Sequence, residues 1–359
     1  MWSHSPGNFP VRDFTCPNCG RHLAFEDAVC PSCGSRVGFS LNAMALLILA
    51  PGGGEGQDGT VDSRMYQICA NHILAECNWL VEVEPVHRLC GSCSLTRTRP
   101  HDSDSAALSA FAEAEKAKRR LIAELHELRL PIVGRDQDPD HGLAFDLLSS
   151  ADEPVITGHD SGVITLDLAE GDDVRREQLR VELDEPYRTV LGHFRHEIGH
   201  YYFYRLVQPA AERAEEFHRL FGDPGADYQA SIDRHYSQGP PAGWRHDFVS
   251  SYATMHPAED WAETFAHYLH IRSTLDTAAS YGLAPASATY ERRVLGPSAF
   301  DTLIEVWLPL SWSMNMVNRS MGKPDLYPFT LSGPVLDKMR FVHTVVDDPG
   351  DDSTASVPG

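Results

Sequence analysis

The sequence predicts an α+β chain, with a small β-rich amino-terminal region followed by a mainly helical body. Three observations carry that expectation. All eight cysteines fall between positions 16 and 93, so the first hundred residues read as a unit closed by cysteine chemistry rather than by a large core. From Asp102 onward, small, charged and leucine residues recur at helical spacing. Between the helical stretches, LAFDLL and GVITLDLAE read as strands, the second alternating Val163, Thr165 and Asp167 against Ile164, Leu166 and Leu168. A length of 359 residues suits two or three domains and a sizeable core.

In the amino-terminal region the first four cysteines read Cys16-Pro-Asn-Cys19-Gly and Cys30-Pro-Ser-Cys33-Gly. A Cys-x-x-Cys turn brings two thiolates to one ion, and the glycine after it permits the tight backbone there. Two such knuckles make a four-cysteine zinc ribbon. The second four are Cys69, Cys77, Cys90 and Cys93, of which only the last two form a knuckle. A second four-cysteine zinc site is the preferred reading, and a buried pair beside an unoccupied knuckle is the alternative. Four thiolates leave no open coordination position, so both zinc ions would be structural. The run Leu41 to Ala50 reads as a buried strand, and Pro51 to Gly59 as a loop; no Lys-Ser or Lys-Thr follows its glycines to make a phosphate cradle.

Composition narrows the function. The formal net charge is −21, and the first hundred residues carry seven Arg, no Lys and nine acidic residues, so nearly all the deficit lies in the body. Neither part offers the basic face that nucleic acid needs. No apolar run approaches the ~18 residues of a membrane span, and the first residues lack a cationic segment leading into an apolar one. A cytoplasmic protein without nucleic-acid or membrane partners is expected, its last residues (DDPGDDSTASVPG) forming a disordered acidic tail.

The catalytic expectation rests on LGHFRHEIGHYYFYRL, Leu191 to Leu206. His196 and His200 stand four apart, on one face of a helix, where both can grip one metal. Glu197 is placed to take a proton from an attacking water. Glu185-Pro186 offers a helix start. The longer pattern HExxHxxGxxH fails, because Phe203 and Leu206 occupy its Gly and His positions, so a third ligand must come from further along. SYATMHPAEDWAETFAHYLH, residues 251–270, supplies one. Pro257 marks a helix start, and Glu259 and Glu263 lie four apart on that helix. Glu259 would complete a set of two imidazoles and one carboxylate with a fourth position for water. Glu263 would hydrogen-bond a ligand imidazole. Tyr252 would stabilise the oxyanion. Solvated helix charges for the two glutamates and a core aromatic for Tyr252 are the plain alternatives. His256, His267 and His270 are rival ligands, with His256 the closest rival. His193, one turn before His196, reads as a polar helix residue.

These blocks, together with CNW at Cys77 to Trp79, LCGSC at Leu89 to Cys93, AKRRL at Ala117 to Leu121 and TGHDSGVITL at Thr157 to Leu166, resemble a bacterial family of zinc-binding metallopeptidases with an amino-terminal zinc ribbon. The resemblance spans most of the chain and implies a zincin-like catalytic domain. The Tyr252, Glu259, Glu263 spacing is also similar to the catalytic segment of anthrax lethal factor-type gluzincins. That likeness implies oxyanion stabiliser, ligand and ligand-supporting carboxylate for the three in turn; Asp260-Trp261 stands where an aromatic pair is usual. By analogy with zincins, GVITLDLAE would be the edge strand beside the cleft, able to pair with extended substrate.

The expected organisation is therefore residues 1–100 as a zinc-ribbon region with two four-cysteine sites, 101–345 as a zincin-like metallopeptidase domain, and 346–359 as the acidic tail. Residues 102–130 form a long amphipathic helix joining the parts, and helices after Ser273 pack behind the site. The expected activity is peptide-bond hydrolysis with one catalytic and two structural Zn2+ ions, acting on a peptide or protein substrate. The alternatives are a zinc-ribbon adaptor that binds a protein partner and carries a non-proteolytic metal site, or a hydrolase of non-peptide amides.

Overall fold

The computed structural model describes residues 14–49, 59–61, 64–83, 88–150, 154–171, 189–288 and 297–350. The chain is α+β, with a β-rich amino-terminal region leading into a helical body. In the first region β1 (Phe14–Thr15) and β2 (His22–Leu23) flank the first knuckle, and β3 (Val37–Ser40) pairs antiparallel with β4 (Ala45–Ile48). A third sheet joins β5 (Gly59–Val61), β6 (Arg64–Ile68) and β7 (Leu80–Glu82). Gly20 and Gly34 follow their knuckles at φ +72° and +70°, the left-handed backbone that lets each amide reach back to the carbonyl of Cys16 or Cys30. The core of this small unit joins aromatic rings to Leu23, Val37, Leu41 and Leu46. The rings of Phe14, Phe25, Phe39 and Trp79 meet in edge-to-face or tilted pairs, with centroids 4.8–6.2 Å apart. The stretch expected as one buried strand is a turn over 41–44 followed by the half-buried β4, because the hairpin must reverse after Ser40. Of the glycine loop, 51–58 lie outside the described residues, and Gly59 opens β5.

β8 (Thr96–Thr98) leaves the second knuckle and enters the sheet of the body, whose order is β10 (Gly158–Asp160), β11 (Val163–Asp167), β9 (Ala144–Leu148), β8. The zinc-ribbon region and body thus share a sheet. β8, β9 and β11 run parallel, while β10 is the antiparallel edge. The strand expected at the edge, Val163–Asp167, is interior; the preceding TGHD segment takes the edge, because Ser161 and Gly162, at φ +48° and +85°, turn the chain back into a tight hairpin.

Helix α1 (Ser105–Glu127) begins where Asp104 accepts a 2.9 Å hydrogen bond from the Ala107 amide. It is more deeply enclosed than an amphipathic connector, burying the ionic groups of Glu115, Lys118, Arg119 and Glu124. Each finds a partner there. Lys118 pairs with Glu115 at 2.7 Å, and Arg119 donates to the carbonyls of Ala75 and Glu76 at 3.1 and 3.3 Å, so α1 grips the loop carrying Cys77. Helix α2 (Val190–Tyr202) starts at Thr189, whose hydroxyl accepts from the Gly192 amide at 2.9 Å. Glu185-Pro186, the expected start, lies outside the described residues. A π-helical turn, Phe203–Val207, ends α2. There follow α3 (Ala211–Phe221), α4 (Tyr228–Gln238), α5 (Pro257–Ser280), α6 (Pro297–Ser320) and α7 (Gly333–Asp347). The end of α5 packs with α6 and α7 around Phe300, Trp307 and Met339. Helix α7 runs on through the buried Val346, and residues 351–359 lie outside the described ones. Among the described residues, no helix is long and apolar enough to cross a membrane.

Helices α2 and α5 cross in close contact. A Cβ at Gly199 would stand 3.0 Å from the Ala262 Cα and 3.3 Å from the Phe265 Cβ, so only glycine lets the two backbones approach this far. Trp261 is fully buried and its indole N–H donates to the Gly199 carbonyl at 2.8 Å. Substituting Gly199→Leu is expected to drive the helices apart, costing about 1–3 kcal/mol of stability. Chemical denaturation after mild chelation, with the cysteine-bound zinc left in place, measures it, and an unchanged midpoint would show the crossing to be slack.

Candidate metal centre

The α2–α5 crossing faces two imidazoles toward two carboxylates. Pro257 sits in the first turn of α5 and His256 caps it, which sets Glu259 and Glu263 on successive turns facing α2. The His196 Nε2 lies 3.0 Å from the Glu259 Oε2, and the His200 Nε2 lies 3.5 Å from the Glu259 Oε1. Donor atoms about 2.1 Å from one tetrahedral ion stand about 3.4 Å apart, so this set has the spacing a single zinc requires. His196, His200 and Glu259 each bring a ligand atom within 4.8 Å of the others. His196 Nδ1 donates to Glu263 Oε1 at 2.8 Å, which fixes the ring and leaves Nε2 turned toward the shared centre.

Electrostatics reinforce the geometry. Burial disfavours charge on His196, but Glu259 and Glu263 outweigh it and hold the ring's pKa well above its usual value. Burial likewise raises the Glu259 carboxyl, yet His200 and His196 pull it well below the carboxylate range. Glu263 falls to about 2, because its bond to His196 overcomes burial. The site is thus a buried cluster of carboxylates and imidazoles that a divalent cation can enter by displacing the proton of His196.

Glu197 is buried on α2, and its charge is felt at the phenols of Tyr252 and Tyr228. Tyr252 lies on a short 3-10 turn, Tyr252–Thr254, with its ring 5.9 Å from that of His196. Burial and the neighbouring Glu259 raise its pKa, keeping it a hydrogen-bond donor. The rival histidines are engaged elsewhere. His256 accepts from the Ala258 amide through Nδ1 and donates to the Ala226 carbonyl through Nε2, both at 3.1 Å. His267 bonds the Tyr327 hydroxyl at 2.9 Å, and its pKa is depressed to about 4 by burial. His270 Nδ1 accepts from Arg195 at 2.6 Å. His193 stands outside the cluster.

Two neighbours escaped the sequence reading. The Tyr228 hydroxyl donates to Glu259 Oε1 at 2.9 Å from a helix 31 residues upstream, a separation that no motif encodes. His159, on the edge strand β10, lies nearly parallel to His200 with centroids 6.2 Å apart; burial, and then His200, lower its pKa to about 4. Its place in TGHDSGVITL was the available signal. Arg195, next to His196, is locked in a buried fork on Glu124 at 2.8 and 3.0 Å, tying α2 to α1.

The cysteines form two tetrads, Cys16, Cys19, Cys30, Cys33 and Cys69, Cys77, Cys90, Cys93, each with sulfurs within 4.8 Å of one another. Sulfur pairs stand 3.6 Å apart in the first and 3.7 Å in the second. Thiolates about 2.3 Å from one zinc lie about 3.8 Å apart, whereas a disulfide would bring two to about 2.05 Å. The donor sets fit zinc, and the second is wholly buried.

The chain matches the family described as "Putative zinc-binding metallo-peptidase" over residues 107–345 and a zinc-ribbon domain family over 13–104. Uncharacterized proteins of Mycobacterium tuberculosis and Mycobacterium bovis are each 67% identical to it over 342 residues, covering 95% of this chain and 97% of theirs. No solved structure matches it.

Proposed function

Because the chain belongs to this family of zinc-binding metallopeptidases, we propose that it hydrolyses peptide bonds with a water activated at a zinc ion held by His196, His200 and Glu259. The observation that carries the reading is the convergence of those three donors beside Glu197. When bound, zinc polarises the scissile carbonyl and makes the attacking water acidic. Glu197 takes the proton of that water and returns it to the leaving amine. Tyr252 donates its hydroxyl hydrogen bond to the carbonyl oxygen as negative charge develops there. Glu263 holds His196 in the tautomer that presents Nε2, and the Glu124–Arg195 fork fixes the helix bearing both imidazoles.

The two cysteine tetrads are assigned to structural zinc. Residues 1–100 are assigned to the ribbon region and 101–345 to the gluzincin-type peptidase domain, with a peptide or protein as substrate. The four sulfurs of each tetrad leave no free position for substrate chemistry, and the second tetrad braces the loop that Arg119 holds.

Metal analysis of the purified chain is expected to give three zinc ions, two resistant to mild chelation and one removed by it. A chain that holds only two, both on cysteine, would remove the catalytic site. In a peptide-library assay, Glu197→Gln is expected to retain all three ions and lose cleavage; turnover like that of the wild type would reject the assigned base. Tyr252→Phe should lower kcat by about 10²–10³ with little change in KM, as expected when one oxyanion donor is lost.

A further inference from the structure

Helix α4 touches the body through only a few of its described side chains. Most of its residues face solvent, Ser231 being buried, and it runs from the Asp227 cap to Gly239 at φ +71°. The His235 ring meets Tyr252 edge-on with centroids 6.1 Å apart, and its Nδ1 lies 3.5 Å from the Thr254 hydroxyl. Arg234 donates to the Met255 carbonyl at 2.9 Å, and at the helix's first residue the Tyr228 hydroxyl donates to Glu259 Oε1 at 2.9 Å. The Tyr228 ring is steadied edge-on by His256, with centroids 5.1 Å apart, while His256 is itself bonded at both nitrogens. Asp227 accepts from the Ala230 amide at 3.0 Å, so Tyr228 sits at a capped, well-defined helix start.

The Glu259 carboxylate is 2% exposed and is the only member of the candidate ligand set that is not an imidazole. An imidazole has a single lone pair to offer an ion, but a carboxylate can rotate and present either oxygen. Its orientation must therefore come from outside. His196 faces one oxygen and Tyr228 donates to the other. Such an outer hydrogen bond fixes ligand direction, and its loss typically costs 10–100-fold in metal affinity.

We propose that Tyr228 is a positioning residue for the metal site, its phenol orienting the Glu259 carboxylate toward the two imidazoles. This rests on the reading of His196, His200 and Glu259 as zinc ligands. Tyr228 is distinct from Tyr252, whose assigned hydrogen bond goes to substrate rather than to a ligand.

The test measures the affinity of the chelator-labile zinc in the full chain, by competition with a chromophoric chelator, for wild type, Tyr228→Phe, Arg234→Ala and Glu259→Ala. Tyr228→Phe removes one oxygen and keeps the ring. It is expected to weaken the labile zinc roughly 10–100-fold, while the cysteine-bound zinc stays in place. Arg234→Ala loosens α4 without touching the carboxylate and should change affinity by less than about threefold. Affinity unchanged in Tyr228→Phe overturns the proposal, as does an equal loss in Arg234→Ala, which would make helix docking the agent rather than the phenol. Glu259→Ala separates the two levels of the argument. If it abolishes the labile zinc while Tyr228→Phe leaves it intact, only the positioning role fails. If it too leaves labile zinc bound, the ligand assignment fails and the proposal falls with it.

Discussion

The close crossing of α2 and α5 is the constraint on which the rest depends. Gly199, inside the HEIGH segment, has no side chain to hold the helices apart, and Trp261 fills the space beside it while bonding its carbonyl. One helix brings His196, Glu197 and His200 to the contact, the other Glu259 and Glu263. Burying such a set would be costly without compensation, since each group loses its hydration. The compensation is mutual, as each imidazole has a carboxylate within 3.5 Å. The packing and the chemistry share the same few residues. The glycine that permits the approach lies one residue from His200, and Trp261 lies two from both Glu259 and Glu263.

Around that crossing the helices are braced by buried ion pairs rather than by apolar contact alone. Arg195 binds Glu124 of α1 and also His270 of α5, linking three helices through the residue next to His196. Asp260, next to Glu259, is paired with Lys338 of α7 at 2.6 Å; burial raises its pKa to about 7 against the pull of that lysine. Breaking one member of such a pair leaves an uncompensated buried charge and costs far more than the pair's net worth. These networks suit orientation better than stability, holding the ligand-bearing turns in one register. Toward the amino terminus, Lys118, Arg119 and Glu115 do the same for the second cysteine tetrad, and β8 carries that unit into the body's sheet.

Much of this was legible in the sequence because the informative residues are rare and regularly spaced. Cysteines three apart followed by glycine, histidines four apart around a glutamate, and glutamates four apart after a proline each define a local geometry that the chain must adopt. The structure brings His196, His200 and Glu259 together, with Glu263 on His196 and the Tyr252 ring beside it. The resemblance to the zinc-binding family followed from the same blocks. What periodicity could not reveal is where an element lies once neighbours compete for it. The strand at 163–167 became interior because the short TGHD segment folded over it. The burial of the helix at 105–127, expected as an amphipathic connector, depends on partners far away in sequence: Ala75 and Glu76 for Arg119, Thr96 for Glu115 and Arg195 for Glu124. Tyr228 was invisible for the same reason, since a phenol 31 residues from its partner leaves no pattern.

The most direct measurement is an anomalous-diffraction map of crystals of the full chain, collected on either side of the zinc absorption edge. The account predicts a peak about 2.0–2.2 Å from an imidazole nitrogen of His196, one of His200 and a carboxylate oxygen of Glu259, with solvent completing the coordination. A centre closed by a fourth protein ligand, or a peak that bypasses Glu259, would contradict it.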